Sequence, residues 1–62
     1  MSEKYQQLFE QLKSMEKDVE KFYVKGQNAA GTRLRKALGE LKKMAQEMRV
    51  EIQEIKNQRK NG

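Results

Sequence analysis

Apolar side chains recur along the chain at alternating steps of three and four residues. In the first half they stand at Tyr5, Leu8, Leu12, Met15, Val19 and Phe22. In the second half they stand at Leu34, Leu38, Leu41, Ala45, Met48, Ile52 and Ile55. This seven-residue repeat is typical of α-helices that pack lengthwise against another helix. The pattern therefore predicts two helices, each with one apolar seam.

Lys25, Gly26 and Gln27 interrupt the repeat and predict a short turn. Gly26 suits a left-handed helix end because it has no Cβ. Asn28 is a favourable N-cap for the second helix, and Thr32 is the alternative cap. The predicted boundaries within a single domain over 1–62 are a first helix over about 2–24 capped by Ser2, a turn over 25–27, a second helix over about 28–57, and a frayed tail over 58–62.

A turn of about three residues brings the second helix back alongside the first. The predicted fold class is all-α, an antiparallel two-helix hairpin with coiled-coil-like packing. In this register Ala30 and Gly31 lie opposite Phe22 and leave room for its ring. Phe9 and Tyr23 widen the apolar stripe beyond one seam. This surplus predicts a homodimer in which two hairpins form a four-helix bundle.

Length and composition also favour association. Only 35% of the 62 residues are hydrophobic, and the chain has no Cys and no His. Domains of this size usually need a disulfide, a metal or an oligomer contact, and only the last is open to this chain. The lack of Cys fits a reducing cytoplasm. No apolar run reaches the length of a signal peptide or a membrane span, so we expect a soluble cytoplasmic protein without a membrane partner.

The chain offers little chemistry for catalysis. Without His or Cys, and with only three aliphatic hydroxyls, it has no pair of nucleophile and base. Three acids in helical register, Glu47, Glu51 and Glu54, lie beside the seam and are interpreted as a solvated face, not a metal site. We therefore expect no enzymatic activity, no metal, no cofactor and no small-molecule substrate.

Positive charge is concentrated in the second half of the chain. Fourteen Lys and Arg stand against nine Asp and Glu, which gives a net charge of +5. Residues 25–62 contain ten of these cations and only four of the acids. An excess of this size is typical of proteins that bind a polyanion such as nucleic acid.

Four of these cations recur at intervals of seven and form what we call the basic row: Arg35, Lys42, Arg49 and Lys56. On a helix they stand about 10 Å apart along one face. Such a row can follow a phosphate backbone without reading base sequence. Further candidate contacts are Lys25, Arg33, Lys36 and Lys43. The alternative is an ordinary solvated surface, or pairing with acids of the first helix such as Glu16.

Residues 25–36 read KGQNAAGTRLRK. With Phe22 and Tyr23 before it, and Leu41, Ala45 and Arg49 after it, this segment resembles the bacterial linker-histone-like family, typified by the chlamydial histone-like protein. The resemblance covers roughly residues 15–57. It implies a small, helical, nucleoid-associated protein that condenses DNA without strong sequence preference.

Carried over by position, the resemblance makes Lys25, Arg33, Arg35 and Lys36 the leading DNA contacts. The chain is expected to be a short form, because residues up to Gly62 include no Lys- and Ala-rich tail of the chlamydial kind. We therefore predict a DNA-binding protein of the bacterial nucleoid that contacts the phosphates of double-stranded DNA.

The alternative function is a helical protein-interaction module without direct DNA binding. In that case the apolar side chains of Met44, Ile52 and Ile55 dock another helix, and the charge keeps the protein soluble. A third interpretation, a helix lying on acidic lipid, fits the charge but not the narrow seam.

Overall fold

A computed structural model describes residues 3–59, and all regular structure in that range is helical. Helix α1 spans Glu3–Ser14, α2 spans Glu16–Tyr23 and α3 spans Asn28–Arg59. The predicted all-α class is confirmed. The predicted cap Ser2 and the end of the predicted tail lie outside the described residues, while α3 continues to Arg59. The molecule is elongated, with extents of 53 × 18 × 13 Å.

The first helical segment is divided at Met15, where a single continuous helix was predicted. The Ser14 hydroxyl donates to the carbonyl oxygen of Gln11 at 2.7 Å. The Met15 amide bonds instead to the Leu12 carbonyl, three residues back, at 3.1 Å. Serine hydroxyls compete in this way for the carbonyls of the preceding turn and tighten it locally. The division therefore has a local cause in Ser14.

The turn between α2 and α3 is built around Gly26, which has a φ of 68° as predicted for a left-handed helix end. Its amide donates to the Phe22 carbonyl at 3.2 Å. Asn28, predicted as the cap, is the first residue of α3. Thr32 lies in the second turn, where its hydroxyl donates to the Asn28 carbonyl at 3.5 Å. The alternative helix start at Thr32 is therefore wrong.

Both α1 and α2 contact α3. Phe22 lies against Gly31, and Asp18 bonds to Arg33. Further along, the side-chain amide of Gln11 donates to the Ala37 carbonyl at 3.4 Å. Residues earlier in α1 and α2 thus contact residues later in α3. The polar side chains of Gln11 and Asp18 occupy this contact and set the register.

Within residues 3–59 the buried core is small and comprises Met15, Ala30 and Leu34. Leu8, Leu41 and Met48 are half-buried, so this part of the predicted seam is correct. The outer part is wrong, since these predicted seam residues remain exposed: Tyr5, Leu12, Val19, Leu38, Ala45 and Ile52. Two packed helices bury only one strip of side chains between them. The polar side chains of Gln11 and Asp18 occupy part of that strip, which leaves less of it for apolar residues.

Gly31→Ala is expected to lower the free energy of unfolding by about 1 kcal/mol, because overpacking moves a neighbouring side chain. A Cβ at Gly31 would lie 2.6 Å from Phe22 Cε1. The control is Gly39→Ala, since nothing lies within 4 Å of a Cβ there. That change should raise the free energy of unfolding by about 0.5–1 kcal/mol, the usual helical gain of Ala over Gly. Urea unfolding followed by circular dichroism measures both, and equal stabilisation by the two variants would contradict the packing of Phe22 on Gly31.

Candidate nucleic-acid interface

The basic row lies on α3, and all four of its residues are exposed. Within residues 3–59, no carboxylate forms a salt bridge with any of them. Arg49 donates only to the neutral side chain of Gln46, at 3.5 Å. The predicted alternative in which Glu16 neutralises Arg35 or Lys42 has no such ion pair in the described part of the chain. These cations therefore face solvent.

No acid stands three or four residues from any member of the basic row. Neighbours on a helix face stand three or four residues apart. For the basic row those positions hold only neutral or basic side chains, among them Leu38, Gly39, Ala45, Gln46 and Gln53. Local acids therefore do not offset the positive potential along this face of α3.

Lys36 and Lys43 lie on another flank of α3. Each follows a residue of the basic row directly, so it is rotated by about 100° round the helix. Four residues further on stand Glu40 and Glu47 respectively, and acid–base pairs at that spacing attract one another. The eight predicted contacts therefore do not form one surface, and Lys36 and Lys43 lie on a flank of mixed charge.

Lys25 and Arg33 have carboxylate partners. Arg33 Nη2 donates to Asp18 Oδ1 at 2.9 Å, and its Nε lies 3.2 Å from both carboxylate oxygens. This fork of hydrogen bonds lowers the pKa of Asp18, and the same contact raises the pKa of Arg33. Lys25 Nζ lies 3.8 Å from Glu20 Oε1. A phosphate at either cation would compete with a carboxylate.

The Asp18 contact predicts a loss of stability in acid. A carboxyl group whose pKa is lowered by folding stabilises the fold above its ordinary pKa of 3.8, and this contribution is lost as the pH falls through the lowered value. Asp18→Asn should therefore flatten the decline in melting temperature below pH 3.8. Glu10→Gln, which removes an acid without an ion pair in residues 3–59, should decline like the unmodified protein. A decline in Asp18→Asn as steep as in the control would contradict the prediction.

A groove of about 320 Å³ lies where α2 meets α3, next to the start of the basic row. We call it the aromatic groove. Its apolar lining comes from Phe22, Tyr23, Leu34 and Leu38. The sequence pattern did not predict it, because Phe22 and Leu38 were assigned to a closed seam. The adjacent aromatic pair, followed by a small residue at Gly31, is the signal that points to it.

No three acidic side chains come together within residues 3–59 in a way that would hold a metal ion. None of the described helices combines the length and the apolar character needed to cross a lipid bilayer.

The model of the family described as histone H1-like protein Hc1 matches residues 2–58 of the chain. No curated protein and no solved structure matches the chain. The family match extends further toward the N-terminus than the resemblance seen from the turn region, and it takes in all of α1 and α2.

Proposed function

The chain belongs to the histone H1-like protein Hc1 family, and from this premise we propose that it binds double-stranded DNA in the bacterial nucleoid. Histone H1-like proteins are DNA-packaging structural proteins and not enzymes. Binding is proposed to proceed through phosphates, without dependence on base sequence.

The observation that carries this proposal is the acid-free basic row on α3. Arg35 and Lys56 are 21 residues apart, which corresponds to about 31 Å along a helix. That length approaches the rise of one turn of B-DNA, about 34 Å. Four exposed cations over this distance can neutralise phosphates and release counterions. No side chain of the row is required to read a base edge.

We also propose that the protein acts as an antiparallel hairpin that pairs with a second copy into a four-helix bundle. Large apolar side chains remain exposed on both sides of the contact between the helices, among them Phe9, Leu12 and Ile52. Covering them in a dimer would supply the stabilisation that the small core lacks. A dimer would carry two basic rows, and it could then bridge two segments of DNA and condense them.

A salt titration tests the proposal. With four phosphate contacts per protomer, the logarithm of the association constant should fall with the logarithm of the salt concentration at a slope of about −3.6. Gel shifts or fluorescence anisotropy on several unrelated duplex sequences measure the slope. Similar affinities are expected for all the sequences. A flat salt dependence, or no binding at low salt, would refute phosphate binding.

The second candidate function is a protein-interaction module, favoured by the same exposed apolar side chains. Of the residues first assigned to it, Met44 and Ile55 are half-buried, and Ile52 remains exposed. A variant with the basic row neutralised to Gln separates the two functions. Capture of a protein partner that persists in this variant and does not change with added DNA would favour the module.

A further inference from the structure

The aromatic groove is a second binding feature beside the basic row. We infer that it receives an unpaired nucleobase, so that the protein prefers DNA with a bulged or single-stranded base over a fully paired duplex. This inference rests on the proposed function, because the basic row must hold the phosphates on either side of that base. Three properties of the groove support it.

The first property is an aromatic surface held in place. Phe22 lies against α3 at Gly31, where even a Cβ would lie 2.6 Å from its ring. Tyr23 packs edge-to-face on Phe22, with the ring centroids 5.1 Å apart and the planes at 87°. Tyr23 itself is 75% exposed. An exposed ring supported by a second ring offers a flat surface on which a base can stack.

The second property is the charge of the lining. The polar residues that line the groove are Asn28, Thr32 and Arg35. None of the described residues lining it is acidic. Arg35 makes no salt bridge within residues 3–59. A ligand that joins an anion to a flat ring with polar edges matches this lining, since Asn and Thr can bond the edge and Arg the phosphate.

The third property is continuity with the basic row. Arg35 lines the groove and is also the first residue of the row. A nucleic-acid backbone that follows the row toward the turn would pass the mouth of the groove. In a paired duplex every base is stacked and cannot reach Tyr23, whereas a bulged or single-stranded base is free to do so. The groove thus discriminates by pairing state and not by base sequence.

The test compares three labelled DNAs that share one duplex sequence. The first is fully paired, the second carries one bulged base, and the third carries an abasic bulge. Anisotropy should show that the base bulge binds about tenfold more tightly than the other two, the effect of one stacked base. Tyr23→Leu should abolish this preference and leave affinity for the paired duplex unchanged. Tyr5→Leu is the matched control, since Tyr5 is also an exposed tyrosine and does not line the groove, and it should keep the preference.

A direct readout is available because the chain has no Trp and only two Tyr. In Tyr5→Phe all tyrosine emission comes from Tyr23, and stacking on a base should quench it with the bulged DNA alone. Equal affinity for the bulged and paired DNAs, or no quenching, would overturn the inference while duplex binding upholds the proposed function. Failure of every DNA to bind would refute both. Loss of self-association in Tyr23→Leu would also overturn it, because the groove would then be an interface between copies.

Discussion

Reversing the charge of the whole basic row, with Glu at all four positions, should abolish DNA binding while the helices persist. The row supplies the exposed cations of the acid-free face of α3, and each reversal replaces a phosphate contact with a repulsion. The affinity at low salt should fall by more than about a hundredfold, and the salt slope should approach zero. Glu is a good helix former and all four residues of the row are exposed, so circular dichroism should change little.

Two double variants with the same change in net charge separate the row from charge in general. Lys42→Glu with Arg49→Glu alters the acid-free face. Lys36→Glu with Lys43→Glu alters the flank that also holds Glu40 and Glu47. The first pair should reduce affinity by at least about tenfold more than the second, because local acids already offset the potential at Lys36 and Lys43. Equal losses would mean that net charge, and not the row, governs binding.

The double substitution Phe9→Ser with Leu12→Ser should convert the proposed dimer into a poorly folded monomer. Phe9 is 50% exposed and Leu12 is 47% exposed within one protomer. If a second copy covers the exposed part of these two side chains, each side chain contributes roughly 1 kcal/mol or more to the stability of the dimer. The double substitution should therefore cost about 2 kcal/mol per protomer, a large part of the stability of so small a domain. Sedimentation equilibrium and thermal unfolding at several protein concentrations measure both effects.

Val24→Ser is the control for this change. Val24 is 78% exposed and lies at the turn, outside the pairing surface of α1. Its substitution should alter neither the sedimenting mass nor the melting temperature. An unmodified protein whose melting temperature does not depend on concentration, or a double Ser variant that sediments like it, would rule out pairing through Phe9 and Leu12.

Part of the candidate interface was accessible from the sequence. The interval of seven between the cations and the missing acids around them are one-dimensional properties, and a helix converts them directly into a face. The resemblance in residues 25–36 identified the family that the match over 2–58 shows. The pairing of Arg33 with Asp18 was not accessible, because it depends on how α2 is rotated against α3.

The aromatic groove likewise could not be predicted from the sequence. Phe22 and Leu38 both occupy seam positions of the heptad repeat, and the repeat alone predicts that both are buried between the helices. In the folded chain Phe22 is held at the end of the contact by Gly31, and Leu38 stays 51% exposed. The space between them exists only because the helices meet at this particular rotation.

The order of residues by itself determined the all-helical class, the turn at Gly26 and the basic face of α3, because these follow from local backbone preference and from helical period. Tertiary contact decided which edge of the wide apolar stripe is buried, which cations are already paired and where a groove opens. The physical reason is that a heptad repeat specifies a stripe, whereas the hydrogen bonds of Asp18 and Gln11 to α3, and the packing of the Phe22 ring on Gly31, select one rotation of each helix about its axis.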